Sequence, residues 1–297
     1  MSAGFKSCLV MTLMLGSLPA GTAGEAPAGS PRLGAGEAAQ EKLGWRLASK
    51  CYAFRHFTFF ETVDKTAALG LKYIEVNPGQ KLKPGSDLKM DPGLPDEVIA
   101  EIHEKLRAAG VRPVQLGVIG LGMDEQANRR VFEFAKKLGV EAIVSEPPQE
   151  ALEGIDKLCA EYGINVAIHN HPKPSGYWDP AVVLKACRGR SGRIGACCDN
   201  GHWMRSKINP VQALRKLKGR IICLHFKDLD EFGDPNAHDV PWGTGKGNVM
   251  AVLAELKRQG VRTVFSAEYE VAGPRLMDDL AACVAYFDQA TAKLAAR

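Results

Sequence analysis

Eight short apolar runs, each followed by a segment with helical spacing, constrain the fold of this chain most strongly. The runs are 45-WRLASKCY-52, 72-KYIEV-76, 112-RPVQLGV-118, 140-VEAIVSE-146, 165-NVAIHNH-171, 193-RIGACCD-199, 221-IICLHFKD-228 and 263-TVFSAEYE-270. Parallel strands that are buried on both faces read as near-continuous apolar stretches, and they need helical crossovers between them. An eightfold alternation of this kind predicts an α/β protein with a closed (β/α)8 TIM barrel in a single domain.

The segments between the runs carry ordinary helix signals. Four of them, 95–110, 125–139, 149–163 and 249–260, space apolar residues three or four apart and end at a glycine. A doubly wound open sheet would also alternate strands and helices. It usually has a glycine-rich phosphate turn after its first strand, and this sequence has no such turn there.

The N-terminal segment, residues 1–24, has the layout of a secretory signal peptide. Lys6 precedes the apolar stretch 8–18, and small residues follow near a predicted cleavage point at Ala23 or Gly24. The stretch is too short to span a bilayer, so we expect no stable membrane insertion after cleavage. An internal start or a membrane anchor is the alternative to an exported, periplasmic or secreted protein.

Domain boundaries follow from composition. Residues 25–43 are rich in Ala, Gly, Pro and Glu, which predicts a flexible linker. The barrel domain is then 44–297, a length that suits one TIM barrel.

Charge and cysteine content exclude some classes of protein. The chain has 38 basic and 34 acidic residues, so it lacks the basic excess of a nucleic-acid-binding protein. Most of its eight cysteines lie inside predicted helices or strands, where small buried hydrophobes explain them better than a disulfide framework. A homo-oligomer is compatible with the sequence, although no helix face indicates an interface.

Polar residues close four of the apolar runs. Glu146, Asp199, His225 and Glu268 stand where their strands leave the core, and TIM-barrel active sites lie at the C-terminal ends of the strands. Carboxylates and imidazoles that meet there form a mixed O/N site for one divalent metal ion, Mn²⁺, Mg²⁺, Co²⁺ or Zn²⁺. For any single residue the alternative is a hydrogen-bonded polar group at a strand end. Four such residues at neighbouring strand ends together favour a metal site.

These strand ends carry a family resemblance. The stretch 197-CCDNGHW-203, the histidine of 224-LHFKD-228 and the glutamate Glu268 resemble the metal-binding strand ends of the xylose isomerase-like TIM barrels, the sugar phosphate isomerase/epimerase family. That superfamily includes sugar isomerases, sugar epimerases and apurinic-site endonucleases. The resemblance implies Asp199, His225 and Glu268 as metal ligands. It implies His202 as a residue that reaches substrate oxygens or supports the ligands.

The fifth strand departs from the family pattern. Family members usually supply a glutamate there, whereas this chain has His169 within 167-AIHNHP-172. Either His169 binds the metal, or Glu146 on the neighbouring strand replaces the missing carboxylate. Because strand side chains alternate, His169 and His171 share a face. His171 is then a substrate contact or a loop-anchoring hydrogen-bond partner.

The resemblance implies a sugar isomerase or epimerase that abstracts a proton beside a carbonyl through a metal-stabilised enediolate. Glu268 is the first candidate for the catalytic base, and Glu146 is the second. Trp242 lies on the long loop after the seventh strand, where it is either a surface for sugar stacking or a buried aromatic. The candidate substrate-binding residues, which include the candidate acids Lys227 and His238, are His171, His202, Lys227, His238 and Trp242.

Two other functions use the same residues. Export favours a lyase or hydratase that acts on 3-keto-glycosides by metal-assisted β-elimination. A non-catalytic sugar-binding barrel is the second alternative, since His169 replaces the usual glutamate. The endonuclease branch holds three zinc ions and needs a basic surface, which the small number of histidines and the near-neutral charge disfavour. We therefore expect a small-molecule carbohydrate as the partner and no nucleic acid.

Overall fold

Eight parallel strands close into a barrel in sequence order in the computed structural model, which describes Met1 and residues 34–296. Strand β1 pairs with both β2 and β8, which closes the sheet. The strands are β1 (Trp45–Lys50), β2 (Tyr73–Val76), β3 (Arg112–Leu116), β4 (Ala142–Ser145), β5 (Asn165–His169), β6 (Ile194–Asp199), β7 (Ile221–Phe226) and β8 (Thr263–Ala267). The predicted single-domain TIM barrel is confirmed.

Helices cover the outside of the barrel between successive strands. They are α1 (Gly34–Leu43), α2 (Phe59–Ala68), α3 (Asp96–Ala108), α4 (Glu125–Leu138), α5 (Leu152–Tyr162), α6 (Pro180–Ala186), α7 (Asn200–Arg205), α8 (Pro210–Lys216), α9 (Val249–Gln259) and α10 (Leu276–Ala295). Gly139, Gly163 and Gly260 follow α4, α5 and α9 in the left-handed conformation that favours glycine. None of the helices within 34–296 combines the length and apolarity that crossing a bilayer requires.

Side chains inside the barrel form layers because strand residues alternate between the interior and the helices. Val144, Ala167, Cys197 and Cys223 form one apolar layer in the interior. Two residues further along β6 and β7, the same faces carry Asp199 and His225. The alternation thus places apolar residues in the barrel and polar residues at its C-terminal mouth.

Helix α1 contradicts half of the predicted flexible linker. It packs on α10, where the Gln40 amide donates to Asp288 Oδ1 at 2.6 Å and Lys42 Nζ donates to the Ala295 carbonyl at 2.7 Å. Gly36 permits this approach, because a Cβ there would lie 2.7 Å from the Asp288 Cβ. An Ala- and Glu-rich segment favours helix once a packing surface is available. The predicted signal peptide and residues 25–33 lie outside the described residues, apart from Met1, and export stays a prediction.

Candidate metal and catalytic site

The C-terminal ends of β5 to β8 bring four of the five predicted ligands to the barrel mouth, where all four are buried: His169, Asp199, His225 and Glu268. The fifth, Glu146, follows β4 and lies within 4.8 Å of ligand atoms of His169 and His171. His169 Nε2 lies 3.6 Å from Asp199 Oδ2. His225 Nδ1 lies 3.0 Å from Glu268 Oε2. His202, on the first turn of α7, directs its Nε2 towards Asp199 Oδ2 at 3.6 Å. The barrel mouth therefore holds carboxylate oxygens and imidazole nitrogens in one compact group.

Glu146 lies behind His169 and fixes the orientation of its ring. Glu146 Oε1 accepts hydrogen bonds from His169 Nδ1 at 3.0 Å, from His171 Nδ1, and from the His171 backbone N–H at 3.2 Å. Burial opposes ionisation, but these histidines lower the pKa of Glu146 to about 2. A proton on Nδ1 leaves His169 Nε2 as a lone-pair nitrogen, and it is buried without a hydrogen-bond partner among the described residues. That nitrogen faces Asp199.

Glu75 orients His225 in the same way from inside the barrel. Glu75 Oε1 accepts from His225 Nε2 at 2.8 Å and from Lys50 Nζ at 2.9 Å, and Ser266 donates to the other carboxylate oxygen. His225 Nδ1 faces Glu268 Oε2 without forming a hydrogen bond. Burial opposes protonation, but the carboxylates of Glu75 and Glu268 raise the pKa of His225 well above its usual value. This pair of atoms therefore calls for a positive charge, which a metal ion bound to Glu268 Oε2 and to the Nδ1 lone pair would supply in place of the proton.

Lys227 is a buried ammonium among three carboxylates. Its Nζ lies 2.9 Å from Asp199 Oδ2, 3.4 Å from Glu268 Oε2 and 3.0 Å from Glu270 Oε1. Burial alone would raise the pKa of Asp199 and of Glu268. The neighbouring imidazoles and the Lys227 ammonium instead hold the pKa of both carboxylates well below the usual range. Both are therefore ionised at neutral pH.

The donor atoms fit a divalent metal ion. Ligand atoms of Asp199, His225 and Glu268 lie within 4.8 Å of one another, and so do those of His169, Asp199 and His202. Three of these atoms, His169 Nε2, His225 Nδ1 and Glu268 Oε2, are buried without hydrogen-bond partners in the described part of the chain. Each such atom costs roughly 1–3 kcal/mol unless something binds it. A mixed N/O set without thiolate suits Mn²⁺, Mg²⁺, Co²⁺ or Zn²⁺.

Comparison with known families agrees with this geometry. A family model described as "Xylose isomerase-like TIM barrel" matches residues 63–285. The chain belongs to this family. The match confirms the family resemblance that the sequence analysis drew.

Solved structures support the assignment. An uncharacterized protein from Parabacteroides distasonis is 33% identical, with a TM-score of 0.67 over 82% of this chain and 98% of that one. A D-tagatose 3-epimerase-like protein is 20% identical, with a TM-score of 0.66 over 84% and 98%. A xylose isomerase-like TIM barrel protein from Mycobacterium smegmatis, in complex with magnesium, is 14% identical, with a TM-score of 0.67 over 84% and 97%. The last two show the fold alone. No curated protein matches the sequence.

Several residues of this xylose isomerase-like site escaped the sequence analysis. Lys50 and Glu75 did show a signal, since each is a charge inside an apolar run and a buried charge needs a partner. Glu270 binds Lys227, and its second oxygen lies 2.8 Å from Arg205 Nη1. Arg205 carried no comparable signal in the sequence, because it lies on helix α7 and not inside an apolar run.

Asp239 is a further residue that the sequence analysis did not single out. Its Oδ2 accepts the Glu270 backbone N–H at 2.8 Å. Burial raises the pKa of Asp239 to about 7. Asp239 therefore joins the long loop after β7 to the segment after β8.

Two predicted substrate-binding residues do not join the cluster. Trp242 is only 3% exposed and packs against Phe226 and Phe287, with ring centroids 4.8 and 6.1 Å away. The prediction that it stacks on a sugar is wrong, because the loop buries it against the outside of the barrel. His238 is exposed on that loop, and its backbone N–H donates to Asp230 Oδ1. The other three predicted contacts, His171, His202 and Lys227, do reach the cluster.

The glycine-rich end of the same loop surrounds the Asp228 carboxylate. Oδ2 accepts the N–H groups of Gly243 and Gly245 at 2.9 and 3.0 Å, and Oδ1 accepts those of Gly247 and Leu229 at 2.8 and 3.1 Å. A Cβ at Gly245 would lie 2.3 Å from the Leu229 carbonyl oxygen. Glycine at these positions therefore allows the loop backbone to approach the Asp228 carboxylate closely.

Replacing Asp228 by alanine is expected to loosen this loop. The substitution leaves buried N–H groups unpaired, so we expect a loss of about 1–3 kcal/mol in unfolding free energy. Amide hydrogen exchange at residues 243–247 should accelerate. Asp228→Asn keeps one acceptor oxygen and should lose less. Unchanged protection in Asp228→Ala would show that the carboxylate does not hold the loop.

Proposed function

We propose that the protein is a divalent-metal-dependent isomerase or epimerase that removes a proton beside a carbonyl of a carbohydrate. The observation that carries the proposal is the convergence of His169 Nε2, Asp199 Oδ2, His225 Nδ1 and Glu268 Oε2 at the barrel mouth. Membership of the xylose isomerase-like family supports it. The magnesium complex of the Mycobacterium smegmatis protein supports the choice of a hard divalent ion.

Glu268 is the proposed base. A divalent ion held by the four donors would supply positive charge at the carbonyl and adjacent hydroxyl oxygens, which acidifies the C–H bond beside them. Glu268 stays ionised because Lys227 lies 3.4 Å from Oε2. One Glu268 carboxylate oxygen can bind the ion while the other accepts the proton from the substrate carbon.

His171 and Glu146 form the second acid–base group. Epimerisation needs a group that returns a proton on the face opposite the base. The hydrogen bond that His171 donates to Glu146 raises the pKa of His171, so this half-exposed imidazole holds a proton that it can donate. Glu146, the second candidate base of the sequence analysis, thus acts through His171.

Metal-dependent deuterium exchange tests the proposal. Protein stripped with a chelator, and the same protein reloaded with Mn²⁺, would be incubated in D₂O with D-fructose, D-glucose and methyl 3-keto-β-D-glucoside. We expect NMR to show deuterium at the carbon beside the carbonyl of at least one sugar. Stripping should slow this exchange by about 10³-fold, because several kcal/mol of charge stabilisation are lost.

Matched variants and products separate the alternatives. Asp199→Asn should lose both metal and exchange, whereas Asp234→Asn, the same change on an exposed loop, should keep both. Exchange with a rearranged sugar indicates an isomerase or epimerase. Exchange with release of methanol from the ketoglucoside would instead indicate elimination. Bound metal without exchange on any of these sugars would contradict an enzymatic role and favour a sugar-binding barrel.

A further inference from the structure

Three buried imidazoles at the barrel mouth are held from behind by side chains of opposite charge. The rear nitrogens of His169 and His225 contact glutamate carboxylates, at 3.0 and 2.8 Å. Behind His202 lies a cation, because Arg205 Nη1 is 3.2 Å from His202 Nδ1. The partner of one ring nitrogen determines what the other nitrogen offers. His202 therefore differs chemically from the two histidines that were predicted as metal ligands.

The contact with Arg205 determines where the ring proton of His202 lies. A guanidinium has only N–H donors and cannot accept a hydrogen bond. His202 Nδ1 is therefore the acceptor, and the proton of the neutral ring lies on Nε2. Nε2 is 3.6 Å from Asp199 Oδ2 and 4.0 Å from Glu270 Oε1, and both distances are too long for a good hydrogen bond. The Nε2–H group thus faces the mouth without an acceptor among residues 34–296.

Arg205 can hold the His202 ring because its own guanidinium is fixed by two other segments. Nε and Nη2 donate to the Ala237 carbonyl oxygen at 3.1 and 3.0 Å, and Nη1 lies 2.8 Å from Glu270 Oε2. The Arg205 side chain is only 10% exposed. Ala237 belongs to the long loop after β7, and Glu270 belongs to the segment after β8. The guanidinium therefore connects both segments to His202.

The backbone of α7 places the same ring beside a predicted metal ligand. The His202 backbone N–H donates to Asp199 Oδ1 at 2.7 Å. Asp199 thus holds the start of α7 through Oδ1, while its Oδ2 belongs to the group of metal donors. A substrate oxygen beside Asp199 Oδ2 is therefore within reach of a hydrogen bond from His202 Nε2.

We propose that Arg205 is a positioning residue that keeps the proton of His202 on Nε2, so that His202 donates a hydrogen bond to a substrate oxygen and does not bind the metal. A ring nitrogen that carries a proton has no lone pair for a cation. The inference rests on the proposed function, in which negative charge develops on the carbonyl oxygen as the neighbouring carbon loses its proton. A fixed N–H donor stabilises that charge.

Imidazole ¹⁵N NMR tests the position of the proton without any turnover. The protein has seven histidines, and the signals of His202 are those that disappear in His202→Leu. Long-range ¹H–¹⁵N spectra of the metal-free protein at neutral pH should show the His202 proton on Nε2 alone, and added Zn²⁺ should leave it there. Arg205→Met should abolish this single tautomer, whereas Arg129→Met, on the exposed surface of α4, should preserve it.

A double-variant cycle tests whether Arg205 acts through His202. On a sugar that the wild type exchanges, His202→Leu should slow deuterium exchange by about 10²–10³-fold, the effect of losing one donor to a developing charge. Arg205→Met should keep its Mn²⁺ and slow exchange by about 10–100-fold. In the His202→Leu protein, the same change at Arg205 should slow exchange by a further twofold or less, about the accuracy with which independent effects add.

The outcomes separate this inference from the proposed function. A His202 proton on Nδ1, or a His202 Nε2 proton that Zn²⁺ displaces, would overturn the inference whatever the protein catalyses. An unchanged tautomer in Arg205→Met, or two losses that simply add in the cycle, would show that Arg205 does not act through His202. If His202 holds its proton on Nε2 but no sugar exchanges, the proposed function fails, and with it the substrate role of His202, while the orienting role of Arg205 stands.

Discussion

Replacing Glu268 by glutamine is expected to slow proton exchange on the carbonyl substrate by about 10²–10⁴-fold while the barrel stays folded. The amide keeps the shape of the side chain but cannot accept a proton. The site depends on the charge of this group, since Glu268 Oε2 lies 3.0 Å from His225 Nδ1 and 3.4 Å from Lys227 Nζ. Deuterium incorporation measured by NMR, on the sugar that the wild type exchanges, reports the rate.

Metal content separates the two roles that the structure offers to Glu268. A variant that keeps its metal and loses exchange identifies Glu268 as the base, whereas simultaneous loss of both identifies it first as a ligand. Glu231→Gln makes the same chemical change on the exposed loop after β7 and should exchange at the wild-type rate. Wild-type exchange in a metal-loaded Glu268→Gln protein would contradict both roles and place the base elsewhere.

The barrel was predictable because its strands are buried on both faces. The runs around Asp199 and His225 read as continuous apolar stretches that end in a polar group. Gly139 and Gly163 mark the ends of helices α4 and α5. Helix α1 was not predictable from composition. Its Ala-, Glu- and Gly-containing sequence is also typical of disorder, and packing on the α10 surface, reached through Gly36, stabilises it as a helix.

The site was predictable where strands determine it and unpredictable where loops do. Period-two alternation carries His169 and Lys227 to the mouth together with Asp199, as the sequence indicates. The buried position of Trp242 depends instead on how the loop after β7 wraps around Asp228. No local pattern encodes that path. The sequence indicated Glu146 as a site residue and Glu75 as a buried charge, but not that they pair with His169 and His225, because each reaches its histidine from a neighbouring or distant strand.

Replacing Glu75 by glutamine is expected to lower the unfolding free energy by about 3–5 kcal/mol. The Lys50 ammonium, 2.9 Å from Glu75 Oε1, has a side chain only 2% exposed, and it would lose its counter-ion inside the barrel. The other Lys50 hydrogen bond, to the Gly117 carbonyl, cannot neutralise its charge. Denaturant unfolding followed by circular dichroism measures the loss. Glu101→Gln provides a matched control, because Glu101 pairs with Lys83 on the surface and should contribute less than about 1 kcal/mol.

The double variant Lys50→Met/Glu75→Gln should lose less unfolding free energy than the sum of the losses in the two single variants. Removing both charges eliminates the uncompensated ammonium that makes Glu75→Gln costly. Strict additivity in this cycle would show that Lys50 and Glu75 do not stabilise each other.

Both variants that carry Glu75→Gln should bind metal more weakly than the wild type, because a glutamine no longer imposes a single tautomer on His225. We expect metal affinity about 10–100-fold weaker in both, the range found when a carboxylate that orients a ligating histidine is removed. Recovery of stability without recovery of metal affinity would thus separate the charge-pairing role of Glu75 from its role in directing His225 Nδ1 at the metal.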